Sequence, residues 1–387
     1  MERRPEKIRV ALLGDARQVH IHRWSRYLDE MGFDVLTLSL EPVKGVGGFR
    51  RRIGVPSFLP DFARYPLAVP PIRGVLARFR PDVVSAHFVP NYGVIAALAG
   101  RKPWVLSAWG SDVMVLPEKS AFHMWRTRFV VRRAAYITSD AAVMTRRLVE
   151  LGASADRVIT FPYGVDRKAF FPAAPAPSPQ QSRGVPSIIC NRKLEAVYNV
   201  GSVVDAFAPV KLSHPDARLT LAGSGSESQS LAERARRSGV ENAVQFAGDV
   251  PHEKMPDLLR ANDIFVSVTL SDTTSVSLLE AMACGLFPVV SDIPANREWI
   301  EDGVNGTVVD PAAAGAIARA IVAAWENRAL RESAADKNAG LIETRADWYQ
   351  NMSAVNDLFR RLAGRMDVRV MGGSPPQRRN NGASTHP

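Results

Sequence analysis

The chain has 387 residues, 46% hydrophobic and 23% charged, which excludes a disordered or collagenous polypeptide and exceeds one typical core, so two domains are predicted. Its net charge of +10 is uneven: residues 1–171 hold 27 basic and 15 acidic side chains, the remainder 22 and 24, a distribution that argues against a uniformly basic nucleic-acid binder. Two cysteines, Cys190 and Cys284, exclude a disulfide scaffold and a four-cysteine zinc site, and suggest a reducing compartment.

The first apolar run, IRVALLG, is too short for the core of a signal peptide and reads as a β-strand. No window approaches the roughly 20 apolar residues of a membrane helix. Further strands are predicted at Asp34–Leu40, Asp82–Ala86, Trp104–Ala108, Tyr136–Thr138 and Val158–Phe161. Between the first two, Ile21, Trp24, Leu28 and Met31 fall on one helical face, and Gly32 closes the helix. Residues 172–186, PAAPAPSPQQSRGVP, carry five prolines and can hold neither a packed helix nor a central strand, so they read as an interdomain linker. After it come strands at Ser187–Cys190, Arg218–Ala222, Val244–Phe246, Ile264–Val268, Phe287–Val290 and Thr307–Val309, separated by helical patterns. Repeated βα units on both sides predict an α/β protein of two doubly wound parallel sheets, 1–171 and 187–344. Ligands of such sheets sit at the carboxyl ends of the strands, so facing sheets make a cleft. Residues 345–363 form a last amphipathic helix, with Trp348, Met352, Val355 and Phe359 spaced by four, three and four, expected to pack back on the first domain. Residues 364–387 read as a disordered tail.

The informative segment is 263–306. A strand ends near Val268, the polar loop SDTTS follows, and a helix starts at a Ser275 or Thr274 cap and stops at Gly285. Free backbone amides at a helix start suit an anion such as a diphosphate. Asp272 precedes the helix and Glu280 lies eight residues on, among Leu278, Leu279, Ala281, Met282 and Ala283. A charge in so apolar a helix is rarely buried without a partner, which favours a carboxylate that accepts sugar hydroxyls over an ordinary helix glutamate.

This segment resembles the signature of glycosyltransferase family 4, retaining enzymes of the GT-B fold. The family pattern is E-x7-E followed by A-M-A-x-G; here it is Asp272-x7-Glu280, then Ala281-Met282-Ala283-Cys284-Gly285. Tyr163-Gly164-Val165-Asp166 with Phe170, the Leu221–Gly225 strand and turn, Phe246–Val250, Ala261–Ile264 and Asp302–Gly306 are similar to other family segments, in the same order. The resemblance implies that Asp272 contacts the donor sugar, that Glu280 binds the ribose of the nucleotide, and that the amides of Thr274, Ser275 and Val276 hold the diphosphate, with Gly223 in the turn beneath the nucleotide. In the family an Arg and a Lys neutralise the diphosphate. Arg192 or Lys193 can fill the first role, and Tyr198 stands at the Lys position, where a phenol brings a hydrogen bond without charge. Trp109 stands where the family has a histidine before a glycine, and packs either on a sugar face or in the core; Asp112 follows it. Gly14 is the expected close-approach point for the diphosphate. His20, His22 and His87 are candidate acceptor contacts, against the commoner structural role of a lone histidine.

The implied reaction transfers a sugar, of hexosyl type, with retention from a nucleotide-diphosphate sugar to a glycan or lipid-linked acceptor of the cell envelope. No D-x-D pair occurs, and no metal or cofactor is expected; cations and helix amides would stabilise the leaving diphosphate. A binding subunit without turnover and a GT-B epimerase are the alternatives. Phe49–Arg52, Phe58 and Phe62, and the stretch Ala121–Tyr136, mix aromatic and basic side chains. That mixture suits an anionic membrane or lipid-linked acceptor, and suggests a cytoplasmic protein lying on the inner face of the plasma membrane; the alternative is solvated arginines over a buried face.

Overall fold

The computed structural model describes residues 7–43, 48–172 and 184–364. Most of the proline-rich segment and the tail after residue 364 lie outside the described residues. The first sheet contains β1 (Arg9–Leu13), β2 (Asp34–Ser39), β3 (Phe49–Arg52), β4 (Val83–His87), β5 (Trp104–Ser107), β6 (Tyr136–Ser139) and β7 (Val158–Thr160). The second contains β8 (Ser187–Cys190), β9 (Arg218–Ala222), β10 (Val244–Gly248), β11 (Ile264–Ser267), β12 (Phe287–Ser291) and β13 (Thr307–Val309). The orders are β3-β2-β1-β4-β5-β6-β7 and β10-β9-β8-β11-β12-β13, and every pairing is parallel. Helices cover both faces of such sheets, so the central strands are apolar without alternation. All of β4, β8 and β12 is buried.

The strand order reverses between β1 and β4 in one sheet and between β8 and β11 in the other. These are the switch points at which doubly wound sheets open a crevice. The predicted strands match the observed ones to within two residues, with one omission. β3, FRRR, pairs with β2 in register Leu36↔Phe49 to Ser39↔Arg52 and is exposed at all four positions. Its composition does not read as a strand; its conformation comes from the neighbouring edge, and the three arginines discourage further pairing there.

The helix Val19–Glu30 buries Ile21, Trp24 and Leu28 against β1 and β2, while Met31 lies beyond its end and is exposed. The last helix, Trp348–Leu362, buries Trp348, Met352, Val355 and Phe359 in that same cluster, although it follows the second sheet in the chain. The return passes beside residues 163–165. Val165 donates its amide to Ala346 O at 2.8 Å, and Trp348 donates to Val165 O at 3.0 Å. Gly164, at φ +76, makes this crossing possible, since a β-carbon there would lie 2.5 Å from Ala346 O. The two halves are therefore tied together by a packed helix.

Candidate active site

A cavity of about 230 Å³ lies between the two sheets. Its wall on one side carries His20, Trp109, Asp140 and Tyr163, which follow the carboxyl ends of β1, β5, β6 and β7. The other wall carries Arg192 and Lys193 after β8, Tyr198, and the loop Asp272–Ser277 after β11. The second wall is the switch point itself.

The helix Val276–Ala283 anchors that wall. Ser275 caps it, its Oγ accepting the Leu278 amide at 3.3 Å, and Gly285 at φ +83 ends it. The amides of Ser275 and Val276 donate to no other group among the described residues, while the Thr274 amide is directed at the Asp140 carboxylate. They form a donor cluster at the positive end of the helix dipole.

Arg192 donates to Asp272 Oδ2 at 2.6 Å and to Ser275 Oγ, and its guanidinium lies 4.4 Å from the centre of the Tyr198 ring. Burial opposes its charge, but Asp272, Tyr198 and Cys190 outweigh that and hold it above the ordinary arginine range. Tyr198 therefore supports the cation rather than replacing it. Lys193 is exposed on the cavity rim and makes no ion pair among the described residues. Asp272 is paired with Arg192 and also accepts the Thr273 amide at 3.0 Å.

Glu280 lies behind this wall and is 5% exposed. Its Oε1 is 2.8 Å from His252 Nε2, and its other oxygen makes no hydrogen bond among the described residues. His252 packs on Phe170 at 5.2 Å between ring centres. The half-buried Arg23 is attracted by Glu280 and donates to Gly164 O at 2.8 Å.

The opposite wall is aromatic. His20 packs edge-on to Trp109 at 5.1 Å and tilted to Tyr163 at 5.6 Å, and its Nδ1 has no hydrogen-bond partner. Burial, with the charges of Arg23, His252 and Lys193, lowers it to about 3, so it is neutral at physiological pH. Trp109 Nε1 donates to His87 Nδ1 at 3.3 Å, and Tyr163 OH donates to Ala108 O at 3.0 Å.

Several expected contacts lie elsewhere. Asp112 is fully buried and turned away from the cavity: it accepts the amides of Val89 at 2.9 Å and Trp109 at 3.0 Å. Burial raises it to about 6. It positions Trp109 and does not line the cavity. Gly14 is also enclosed; a β-carbon there would fall 2.1 Å from Ile21 Cδ1, so the glycine admits the first helix to the strand. Gly223 plays a similar part at φ +154, because a β-carbon would lie 2.3 Å from Arg192 O. His87 is buried beneath Trp109 beside Ser85, and His22 is bonded to Ala16 O. Neither histidine lines the cavity.

Two residues were not singled out from the sequence. His252 is 28 positions from Glu280, and no local pattern links them. Asp140 follows β6 in an unremarked Ser-Asp pair and accepts from Thr273 Oγ1 at 3.1 Å through Oδ2, across the domain boundary.

Two family profiles match the chain: "Glycosyl transferase 4-like" over residues 9–141 and "Glycosyl transferases group 1" over residues 178–340. The chain belongs to the glycosyltransferases of the GT-B fold, family-4 type, and is a glycosyltransferase. It is 25% identical to a glycogen synthase of Mycobacterium tuberculosis over 299 residues, covering 73% of this chain and 69% of that protein. It is 30% identical to the phosphatidyl-myo-inositol mannosyltransferase of the same organism over 213 residues, covering 53% and 54%. The structure of Anabaena HepE in complex with UDP-glucose superposes with a TM-score of 0.75 at 18% identity, covering 92% of this chain and all of that one, a likeness of fold.

Proposed function

We propose that this enzyme transfers a hexosyl group, with retention, from a nucleotide-diphosphate sugar to a glycan or lipid-linked acceptor, without a metal ion. The observation that carries this reading is the juxtaposition of Arg192 with the amides of Thr274, Ser275 and Val276 at one helix start. Leaving-group departure builds negative charge on a diphosphate. A fixed cation and oriented amides in a water-poor cleft stabilise that charge most as it develops. Lys193 adds a second cation at the rim. In this reading Asp272 accepts from a hydroxyl of the donor sugar while Arg192 fixes its orientation. Glu280 takes the ribose hydroxyls with the oxygen that His252 leaves free. Neutral His20 and the Trp109 ring form the acceptor side. The HepE complex with UDP-glucose is consistent with a uridine donor. A screen of UDP- and GDP-sugars, read by nucleoside diphosphate release and by the anomeric configuration of the product, tests the reading. Release from one donor with retention is expected; release from none, or inversion, overturns it.

The same reading places the acceptor at a membrane surface. Phe58 is 85% exposed, and Phe62, Phe122 and Trp125 are also exposed. Arg126 lies over Phe122 and Arg133 over Phe129, while Arg126 is drawn to Asp61 beside Phe62, which brings the two stretches together. The arginines of β3 are exposed. Aromatic rings flanked by cations suit the interface of an anionic bilayer. No helix among the described residues is long and apolar enough to cross a membrane. Replacing Arg126, Arg128 and Arg133 by glutamine is expected to weaken sedimentation with phosphatidylglycerol vesicles by about 100-fold, at roughly 1 kcal/mol per charge. Undiminished vesicle binding would refute the membrane surface.

A further inference from the structure

The helix Ala142–Glu150 has no cap of its own. Ala141 stands at the capping position with no side-chain acceptor, and no acidic residue lies in the first turn. The first amides of a helix need acceptors from outside it. Glu298, in the second domain, supplies them: its two carboxylate oxygens accept the Ala142 amide at 3.3 Å and the Val143 amide at 3.2 Å. The exchange runs in both directions. Asp140, two residues before the helix, serves the other domain. Its Oδ2 accepts from Thr273 Oγ1 at 3.1 Å, its backbone oxygen accepts from Thr274 Oγ1 at 2.6 Å, and its carboxyl takes the Thr274 amide. Each domain thus holds acceptors for donors that the other leaves unpaired. We propose that Glu298 and Asp140 form a reciprocal clasp, which holds the two domains closed over the cavity and sets the loop Asp272–Ser277 for the reaction.

The place of the clasp ties closure to the site. Thr273 and Thr274 belong to the loop that also carries Asp272 and the amides of Ser275 and Val276, and both line the cavity. Gly110, at φ +106 in the first domain, leaves room for that loop, since a β-carbon there would lie 2.8 Å from Thr273 Oγ1. The loop gains its bonds to Asp140 only when the two walls stand together. The contacts that join the domains differ in character. The helix Trp348–Leu362 is buried among apolar side chains, which makes a lasting tie. Glu298 is only half-buried and Ala142 is exposed. Water competes for both partners of a hydrogen bond at such a site, so its net contribution is modest. A contact that forms and breaks in each catalytic cycle needs that balance. Glu298 does not line the cavity. It is a positioning residue that acts through the helix it caps.

The effect on turnover rests on the proposed nucleotide-sugar reading, whereas closure can be measured without any ligand. Both native cysteines are buried, so spin labels can be placed at Arg146→Cys on the capped helix and Ser333→Cys in the second domain, two exposed positions. In the labelled full chain, Glu298→Ala is expected to add a longer-distance population that the parent lacks. Glu298→Gln, which keeps an acceptor oxygen without the charge, is expected to add a smaller one. Thr274→Val keeps the loop amide but loses the hydroxyl, and is expected to shift the distances in the same direction. In the unlabelled chain, Glu298→Ala is expected to lower kcat/KM about tenfold, and Glu298→Gln about threefold, for whichever UDP- or GDP-sugar turns over. Ala141→Ser separates a clasp from a plain helix cap. Ala141 already has the extended backbone of a capping residue, so serine there caps the helix from within its own domain. Added to Glu298→Ala, it is expected to restore thermal stability while the long distances and the low kcat/KM persist. Recovery of all three would reduce Glu298 to a helix cap and overturn the proposal, as would a distance distribution in Glu298→Ala identical to the parent's. Turnover of no nucleotide sugar by the wild type would overturn the nucleotide-sugar reading and leave the distances to decide the clasp.

Discussion

Arg192→Ala is expected to lower kcat/KM for the sugar donor by 10² to 10³. The reason is that the substitution removes the one cation fixed beside the helix start that would meet the leaving diphosphate. Arg192 is held by Asp272 at 2.6 Å, by Ser275 Oγ and by the Tyr198 ring, so its guanidinium is oriented before substrate arrives. Removing one pre-oriented donor to a developing oxyanion costs on the order of 10² to 10³ in rate. A second effect has to be separated from this one. The same substitution strands Asp272, which is largely buried, and breaking one side of a buried pair destabilises by about 3–5 kcal/mol. The double variant Arg192→Ala with Asp272→Asn removes both charges. It is expected to regain most of the lost thermal stability while its turnover stays low. Arg192→Lys keeps the charge but loses the two-pronged geometry that reaches Asp272 and Ser275 together, so an intermediate rate is expected. Turnover of Arg192→Ala within threefold of wild type would remove Arg192 from the reaction. Recovery of turnover with stability in the double variant would reduce its role to holding Asp272.

What the sequence makes legible follows from how local each feature is. The segment from Asp272 to Gly285 carries a strand end, a cap, an apolar helix and a glycine stop within a few turns, so its form can be read directly. The central strands are legible because burial on both faces makes them continuously apolar. β3 is not, because its conformation depends on the β2 edge and its residues face solvent. Asp112 shows a different limit. Its position near a strand end suggested the cleft, but the orientation of one side chain on a tight turn decides whether it faces ligand or backbone, and it caps two amides instead. Gly14 and Gly223 likewise admit neighbouring protein rather than ligand. Asp140 and His252 had no sequence signal at all. Their significance comes from partners 133 and 28 positions away, and only the folded chain brings those together.

Glu280→Gln is expected to weaken UDP or GDP binding by about 10- to 100-fold with little loss of thermal stability, and Glu280→Ala to abolish donor binding while the fold survives. Glu280 sits in a helix whose buried neighbours on both sides are apolar, so its charge is retained at a desolvation cost. An ionised carboxylate can accept about four hydrogen bonds. His252 takes one, at 2.8 Å, and the second oxygen makes none among the described residues. A ribose diol would supply the donors that this oxygen lacks. Hydrogen bonds to a charged group contribute about 1.5–3 kcal/mol each, which sets the expected range for the neutral glutamine. His252→Ala distinguishes a ligand contact from a structural pair. If Glu280 serves only to hold His252, the two substitutions weaken binding equally. If it touches the nucleotide, the loss is larger in Glu280→Gln, and His252→Ala retains most of the affinity because the carboxylate remains. Unchanged nucleotide affinity in Glu280→Ala, with circular dichroism confirming the fold, would exclude Glu280 from the donor site and move the nucleotide away from the β8–β11 crevice.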